Sequence, residues 1–112
     1  MDTLKIDLKQ ATIQVLQDYL EFISKDPETE SQLVIDEIRN HYLLVDMGWH
    51  KSRRIYGTLI HIDIIDQKIW IQQDGTEEGI ANELVKLGIP PQQIVLAYKT
   101  LESGKITDFA VF

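Results

Sequence analysis

Residues 48–81 read GWHKSRRIYGTLIHIDIIDQKIWIQQDGTEEGIA, and this stretch decides the fold. Arg54 to Ile65 is a long run rich in β-branched and aromatic residues, the composition of a strand. Asp66-Gln67 makes a tight polar turn, and Lys68 to Gln73 is the return strand. Asp74-Gly75 ends the sheet. Thr76 is then placed as a helix N-cap, with Glu77 and Glu78 in a first turn whose dipole favours negative charge. In the long strand Tyr56, Thr58, Ile60, Ile62 and Ile64 alternate onto one face, and Ile55, Gly57, Leu59, His61, Asp63 and Ile65 onto the other. The first set is the more apolar, so it is assigned to the helices. Gly57 is read as a bulge or bend in so long a strand.

Upstream, Gln32–Ile38 and Tyr42–Trp49 read as two further strands joined at Arg39-Asn40. The connections within 31–73 are too short for parallel crossovers, so the four strands form an antiparallel meander. Before them, residues 3–25 place Leu4, Leu8, Ala11, Val15, Leu16, Tyr19, Leu20, Phe22 and Ile23 on one helical stripe. Thr3 or Asp2 caps the first amides, and Pro27 sets the limit. After the sheet, a second helix runs to Leu87, with Gly88 as its left-handed terminator. Ile94–Tyr98 is a short strand or buried segment. Ser103-Gly104 is a loop, and Phe109-Ala110-Val111-Phe112 is a docked tail. The expected class is α+β in a single domain, 1–112: a long N-terminal helix, a four-stranded antiparallel meander, a second helix and a short C-terminal segment. Both helices pack on one sheet face, leaving the other free.

Composition narrows the function. The chain has 112 residues and no cysteine, which excludes a disulfide framework and Cys-ligated zinc. No run of about 18 apolar residues spans a membrane, and Met1-Asp2-Thr3-Leu4 lacks a signal-peptide layout. A cytoplasmic location is expected. Net charge is −7, from 18 acidic and 11 basic residues, which disfavours non-specific nucleic-acid binding. Residues 1–48 hold ten acids and four bases, a sum of −6. Lys51, Arg53 and Arg54 then form the compact basic cluster, either a solvated turn or a contact for an acidic partner or a single phosphate.

His61 and Asp63 alternate on one strand face. They could be two metal ligands, a base with its orienting carboxylate, or one hydrogen-bonded pair on a half-exposed sheet. A functional site needs further groups. His41 and His50 lie near turns with no spacing that recruits them, so no metal set, cofactor or catalytic residue is assigned. No nucleophile elbow, P-loop or GxGxxG is present. Trp49, Tyr56 and Trp70 fall on three adjacent strands, where they serve as a base-stacking platform or as packing and interface aromatics.

Across almost the whole chain the sequence resembles the XisI family, the element-excision controlling factors of heterocyst-forming cyanobacteria. The resemblance is carried by Gly48-Trp49, Arg53-Arg54-Ile55-Tyr56-Gly57, His61-Ile62-Asp63-Ile64 and Lys68-Ile69-Trp70-Ile71-Gln72. It continues in Asp74-Gly75-Thr76-Glu77-Glu78-Gly79-Ile80-Ala81, Glu83-Leu84, Leu87-Gly88-Ile89-Pro90, Ile94-Val95-Leu96 and Thr107-Asp108-Phe109-Ala110-Val111. The Lys-Ile-Trp-Ile-Gln run followed at once by Asp-Gly-Thr-Glu-Glu-Gly-Ile-Ala is its specific part. The resemblance implies a small α/β protein needed, with a site-specific recombinase and a companion, XisH, of nuclease-like fold, for excision of a DNA element. The acidic balance and lack of a catalytic set make a non-enzymatic accessory factor the expected role. It implies no catalytic residues. The alternatives are an excisionase-like architectural DNA binder and an enzyme using His61 and Asp63. The expected contact residues are Trp49, Lys51, Arg53, Arg54, His61, Asp63, Trp70, Glu77 and Glu78, and a homodimer is a further arrangement the free sheet face allows.

Overall fold

Helix α1 (Leu8–Phe22) begins where the Asp7 carboxylate accepts the Lys9 amide at 3.3 Å. A computed structural model describes residues 7–23, 27–99 and 109–110 of the chain. The caps expected at Asp2 and Thr3 therefore lie outside the described residues, as do Ser103-Gly104, Val111 and Phe112. The helix also stops four residues before the proline limit. Ile23 is already extended, and Phe22 at the end of the helix is 72 % exposed.

The sheet has five strands in sequential order: β1 (Thr29–Asp36), β2 (His41–His50), β3 (Arg53–Ile65), β4 (Lys68–Asp74) and β5 (Ile94–Leu96). The first four pair antiparallel, as expected, but β5 lies parallel to β4. The sheet is thus mixed, not a four-stranded antiparallel meander. The connection from Asp74 to Ile94 carries helix α2 (Ile80–Lys86), and a crossover of that length is what a parallel neighbour requires. Ala110 then adds a parallel bridge to Val95, with its amide on the Ile94 carbonyl at 2.9 Å, so this part of the tail is docked.

Three of the turns hold non-glycine residues in the left-handed region, Asn40 among them at φ 61°. Lys51-Ser52 and Asp66-Gln67 each have both φ values between 48° and 70°, and each forms a two-residue hairpin of the primed type that matches strand twist. Between β1 and β2 the Asp36 carboxylate accepts the Ile38 and Arg39 amides, both at 3.1 Å.

The alternation in β3 is broken. Leu44 pairs with Ile60 but Val45 pairs with Thr58, so Leu59 is an extra residue and the strand's two halves present opposite parities. Ile60, Ile62 and Ile64 lie on the helix side with Tyr42 and Leu44. Thr58 and Tyr56 lie on the other side, beside Val45 and Met47, contrary to the single face expected from strict alternation. The bulge is at Leu59; Gly57 pairs regularly with Asp46. A second slip, at Gln72, sets Ile62 against Ile71 and His61 against Gln73.

Both helices cover the same sheet face. Ala11, Val15 and Leu16 of α1 and Ile80 and Leu84 of α2 share one buried cluster with Tyr42, Leu44, Ile60, Ile62, Ile69, Ile71 and Ile94. Tyr42 is buried with its hydroxyl donating to Asn40 Oδ1 at 2.9 Å. Helix α2 starts later than the capping pattern suggests. Asp74, not Thr76, satisfies its first amide: Asp74 Oδ2 accepts Ile80 N at 2.8 Å, while Oδ1 accepts Thr76 N and Oγ1 at 2.9 and 2.6 Å. Gly79, at φ +91°, is the residue that enters the helix. Glu77 and Glu78 consequently sit in the preceding bend, not in a first turn. The other end agrees with expectation. Gly88 N bonds Val85 O and Ile89 N bonds Leu84 O, the paired closure of a left-handed helix stop.

At Gly48 a Cβ would collide with the Glu28 carbonyl oxygen and lie 2.6 Å from Thr29 Cα, so the edge strand β1 must move away. Gly48→Ala is expected to cost about 1–3 kcal/mol in urea unfolding, with loss of exchange protection at the Trp49 amide, which bonds Glu28 O at 3.0 Å. Thr12 is fully buried, and its hydroxyl has no partner among the described residues. Thr12→Val keeps the shape and removes an unpaired donor, so it is expected to raise unfolding stability by about 1 kcal/mol.

Candidate functional site

The sheet face turned away from the helices carries one convergent polar group. Pairing places His41 of β2 opposite Asp63 of β3, and His61 one pair further along, beside Leu43. Asp63 is buried, at 9 % exposure, though it is a carboxylate on the uncovered face. Its Oδ1 atom receives His41 Nδ1 at 2.7 Å and His61 Nε2 at 2.9 Å. An ionised carboxylate only accepts, so both rings present N–H at those nitrogens. Its Oδ2 atom accepts Gln72 Nε2 at 3.2 Å. The two imidazoles stand nearly edge-on, with centroids 6.2 Å apart at 76°.

Burial pushes the Asp63 carboxyl up, but the His41 and His61 hydrogen bonds and the charge these rings can carry pull it further down. The net position is below the ordinary value of 3.8. A buried anion is thus held by three side-chain donors. The group includes no nucleophile, so it does not read as a hydrolytic triad.

The structure distributes the expected contact residues over three places. Trp49, Lys51, Arg53 and Arg54 gather at the β2–β3 hairpin end. There the Arg54 guanidinium lies 5.5 Å from the Trp49 ring centroid and Nη1 reaches Gly48 O at 3.4 Å. His61, Asp63 and Trp70 occupy the open face toward the opposite end of the strands, with Trp70 paired to Asp63. Glu77 and Glu78 lie in the bend before α2. Glu78 lines a cleft of about 480 Å³ between the helices, shared with Tyr19, Phe22 and Glu83. The Tyr19 hydroxyl there is pushed up by burial and by the negative charges of Glu78, Asp74, Asp46 and Glu77.

The aromatic platform does not assemble. Tyr56 is seven residues along β3 from Asp63, the partner of Trp70, which puts them roughly 23 Å apart along the strand. Local sequence pattern recruits neither His41 nor Gln72 to this group. His41 is recruited by cross-strand register, and Gln72 by the slip in β4. The signal for His41 was present in the turn: a two-residue hairpin at Lys51-Ser52 brings it near position 62, and the Leu59 bulge moves it to 63.

The chain matches the family described as XisI protein over residues 1–111. A crystal structure of a XisI-like protein from Anabaena variabilis superposes with TM-score 0.86 at 38 % identity, covering 93 % of this chain and 95 % of that one. The fdxN element excision controlling factor XisI from the same organism gives TM-score 0.81 at 28 % identity, with the same coverage. No curated protein matches.

Asp63→Asn is expected to cost about 1–3 kcal/mol near neutral pH, by weakening bonds to a charged acceptor. A carboxyl that titrates lower when folded contributes stability that is complete above its unfolded value and lost as pH falls through the folded one. The gap between the parent and Asp63→Asn should therefore shrink in urea titrations as pH drops below 3.8.

Proposed function

The chain belongs to the XisI family, and on that basis we propose that it is a non-enzymatic accessory factor controlling excision of a DNA element, working in the cytoplasm through protein contacts. The observation that carries this reading is the likeness, over 93 % of the chain, to a protein described as an fdxN element excision controlling factor. Its partners are a XisH-like protein of nuclease-like fold and a site-specific recombinase.

Charge supports contact with proteins over contact with duplex DNA. The net charge is −7, and acidic side chains line the inter-helix cleft. A basic DNA-binding cleft on a partner is complementary to such a surface. Among the described residues, no helix is long and apolar enough to cross a membrane.

One observation favours direct DNA binding as a second reading. Lys51, Arg53 and Arg54 sit together at a hairpin end beside Trp49, which is 53 % exposed. Small basic ribbons of this kind enter DNA grooves.

The two readings separate experimentally. Co-expression with the XisH-like protein should yield a complex that survives purification. Charge reversal at Glu77 and Glu78, or at Arg53 and Arg54, should weaken it at least tenfold, which is about 1.4 kcal/mol. Gel shifts with duplex from the element's ends should show no binding by the isolated chain at physiological salt. Tight salt-resistant shifts without a partner would overturn the accessory reading in favour of the second.

A further inference from the structure

We propose that His41 Nδ1, His61 Nε2 and the Asp63 carboxylate form a binding site for a first-row divalent cation, zinc being the best fit. This departs from the sequence, which assigns no metal set, and it goes beyond the accessory role.

The donor set comes first. Among the described residues these three form a His/Cys/Asp/Glu group whose ligand atoms all lie within 4.8 Å of one another. Two imidazoles and one carboxylate are the borderline N/O set that zinc accepts, and that a facial-triad iron site also uses. Hard cations such as magnesium or calcium want oxygen ligands and are poorly served here.

Mounting comes next. His41 stands on β2, and His61 and Asp63 stand on β3, in directly hydrogen-bonded strands whose register is fixed by the buried core on the reverse side. Ligands on paired strands hold position better than ligands on loops. Gln72 Nε2 bonds Asp63 Oδ2 at 3.2 Å and so leaves Oδ1 aimed between the rings. An outer hydrogen bond that orients a ligating carboxylate is a regular part of metal sites.

The N···O distances call for small movements. Zinc ligands at 2.0–2.2 Å in tetrahedral geometry stand about 3.3 Å from one another. The two N···O separations of 2.7 and 2.9 Å must therefore open by about half an ångström. The two imidazole nitrogens, within 4.8 Å of each other, must settle at the same spacing. The imidazole side chains are 48 % and 32 % exposed, so both the rings and an entering ion have room. On binding, each ring turns a bare nitrogen to the ion and carries its N–H on the other nitrogen. Two N–H···O bonds are exchanged for three metal–ligand bonds. Three protein ligands leave a coordination position for water or an incoming side chain.

The test uses the untagged full-length chain, freed of metal with chelator. Titration calorimetry with Zn²⁺ should give one site with a Kd at or below about 10 μM. Co²⁺ at the same stoichiometry should give the visible absorption of a four- or five-coordinate nitrogen–oxygen site. His41→Phe and His61→Phe should each weaken Zn²⁺ binding at least tenfold, and both positions are open enough for the variants to fold, which circular dichroism checks. His50→Ala, an exposed imidazole outside the group, should bind as the parent does. Absence of Zn²⁺ and Co²⁺ binding at 100 μM metal would overturn the proposal, as would binding lost in His50→Ala but kept in His41→Phe. Neither result bears on complex formation with a XisH-like partner.

Discussion

The apolar side chains of β2 and β3 can face one core only because Leu59 is an extra residue. The Lys51-Ser52 turn pairs His50 with Arg53, and the ladder then runs regularly to Val45 and Thr58. Continued unchanged, it would set Leu44 against Leu59 and Tyr42 against His61. Ile60 and Ile62 would then face away from the helices. Both are fully buried in the actual register, and burying each contributes about 1.5–3 kcal/mol. The bulge costs a ladder bond, about 0.5–1.5 kcal/mol. Even that loss is offset, because the Leu59 carbonyl accepts the Gly75 amide at 2.8 Å. The register that buries two isoleucines prevails.

The same slip builds the polar group on the reverse face. Without it His41 would oppose Ile62. With it His41 opposes Asp63, and His61 is on the same side. The second slip frees Gln72 from regular pairing, and its amide closes on the remaining carboxylate oxygen. Core packing on one side therefore dictates the placement of titratable side chains on the other. A buried carboxylate costs several kcal/mol unless fully bonded, and the three donors around Asp63 meet that requirement.

Much of this was legible in the residues. Strand runs, both helices, the Asp66-Gln67 turn and the Gly88 stop all follow from local rules, and they hold. What failed did so where long-range pairing overrides local pattern. Strict alternation placed Tyr56 and Thr58 with Ile60, because nothing local marks Leu59 as the extra residue; Gly57 was the more conspicuous candidate. Thr76 has the chemistry of a cap, yet Asp74 reaches the first helix amide from the end of β4. Ile94–Tyr98 is expected as a short strand or buried segment and does contain β5, but its parallel place beside β4 has no local signal, since three residues carry no period of their own. His41 carries no local signal, because its partners are 20 and 22 positions away. His61 and Asp63 were seen because they are neighbours in alternation.

The basic hairpin end is best weighed by counting charges. The acidic body repels DNA, but at physiological ionic strength that repulsion fades over about 8 Å. Three cations at one end of the sheet could therefore act locally despite the net charge of −7. Their number is the limit. Each neutralised phosphate contributes a salt-dependence slope of about −0.9, and steep electrostatic binding to duplex DNA draws on six to ten such contacts. Three cations supply a third to a half of that at most, and Arg54 is already engaged with Trp49 and the Gly48 carbonyl. Such an end can add one or two phosphate contacts to a complex assembled by a partner. It is too small to assemble that complex on DNA alone, which is why protein contact comes first in the accessory reading.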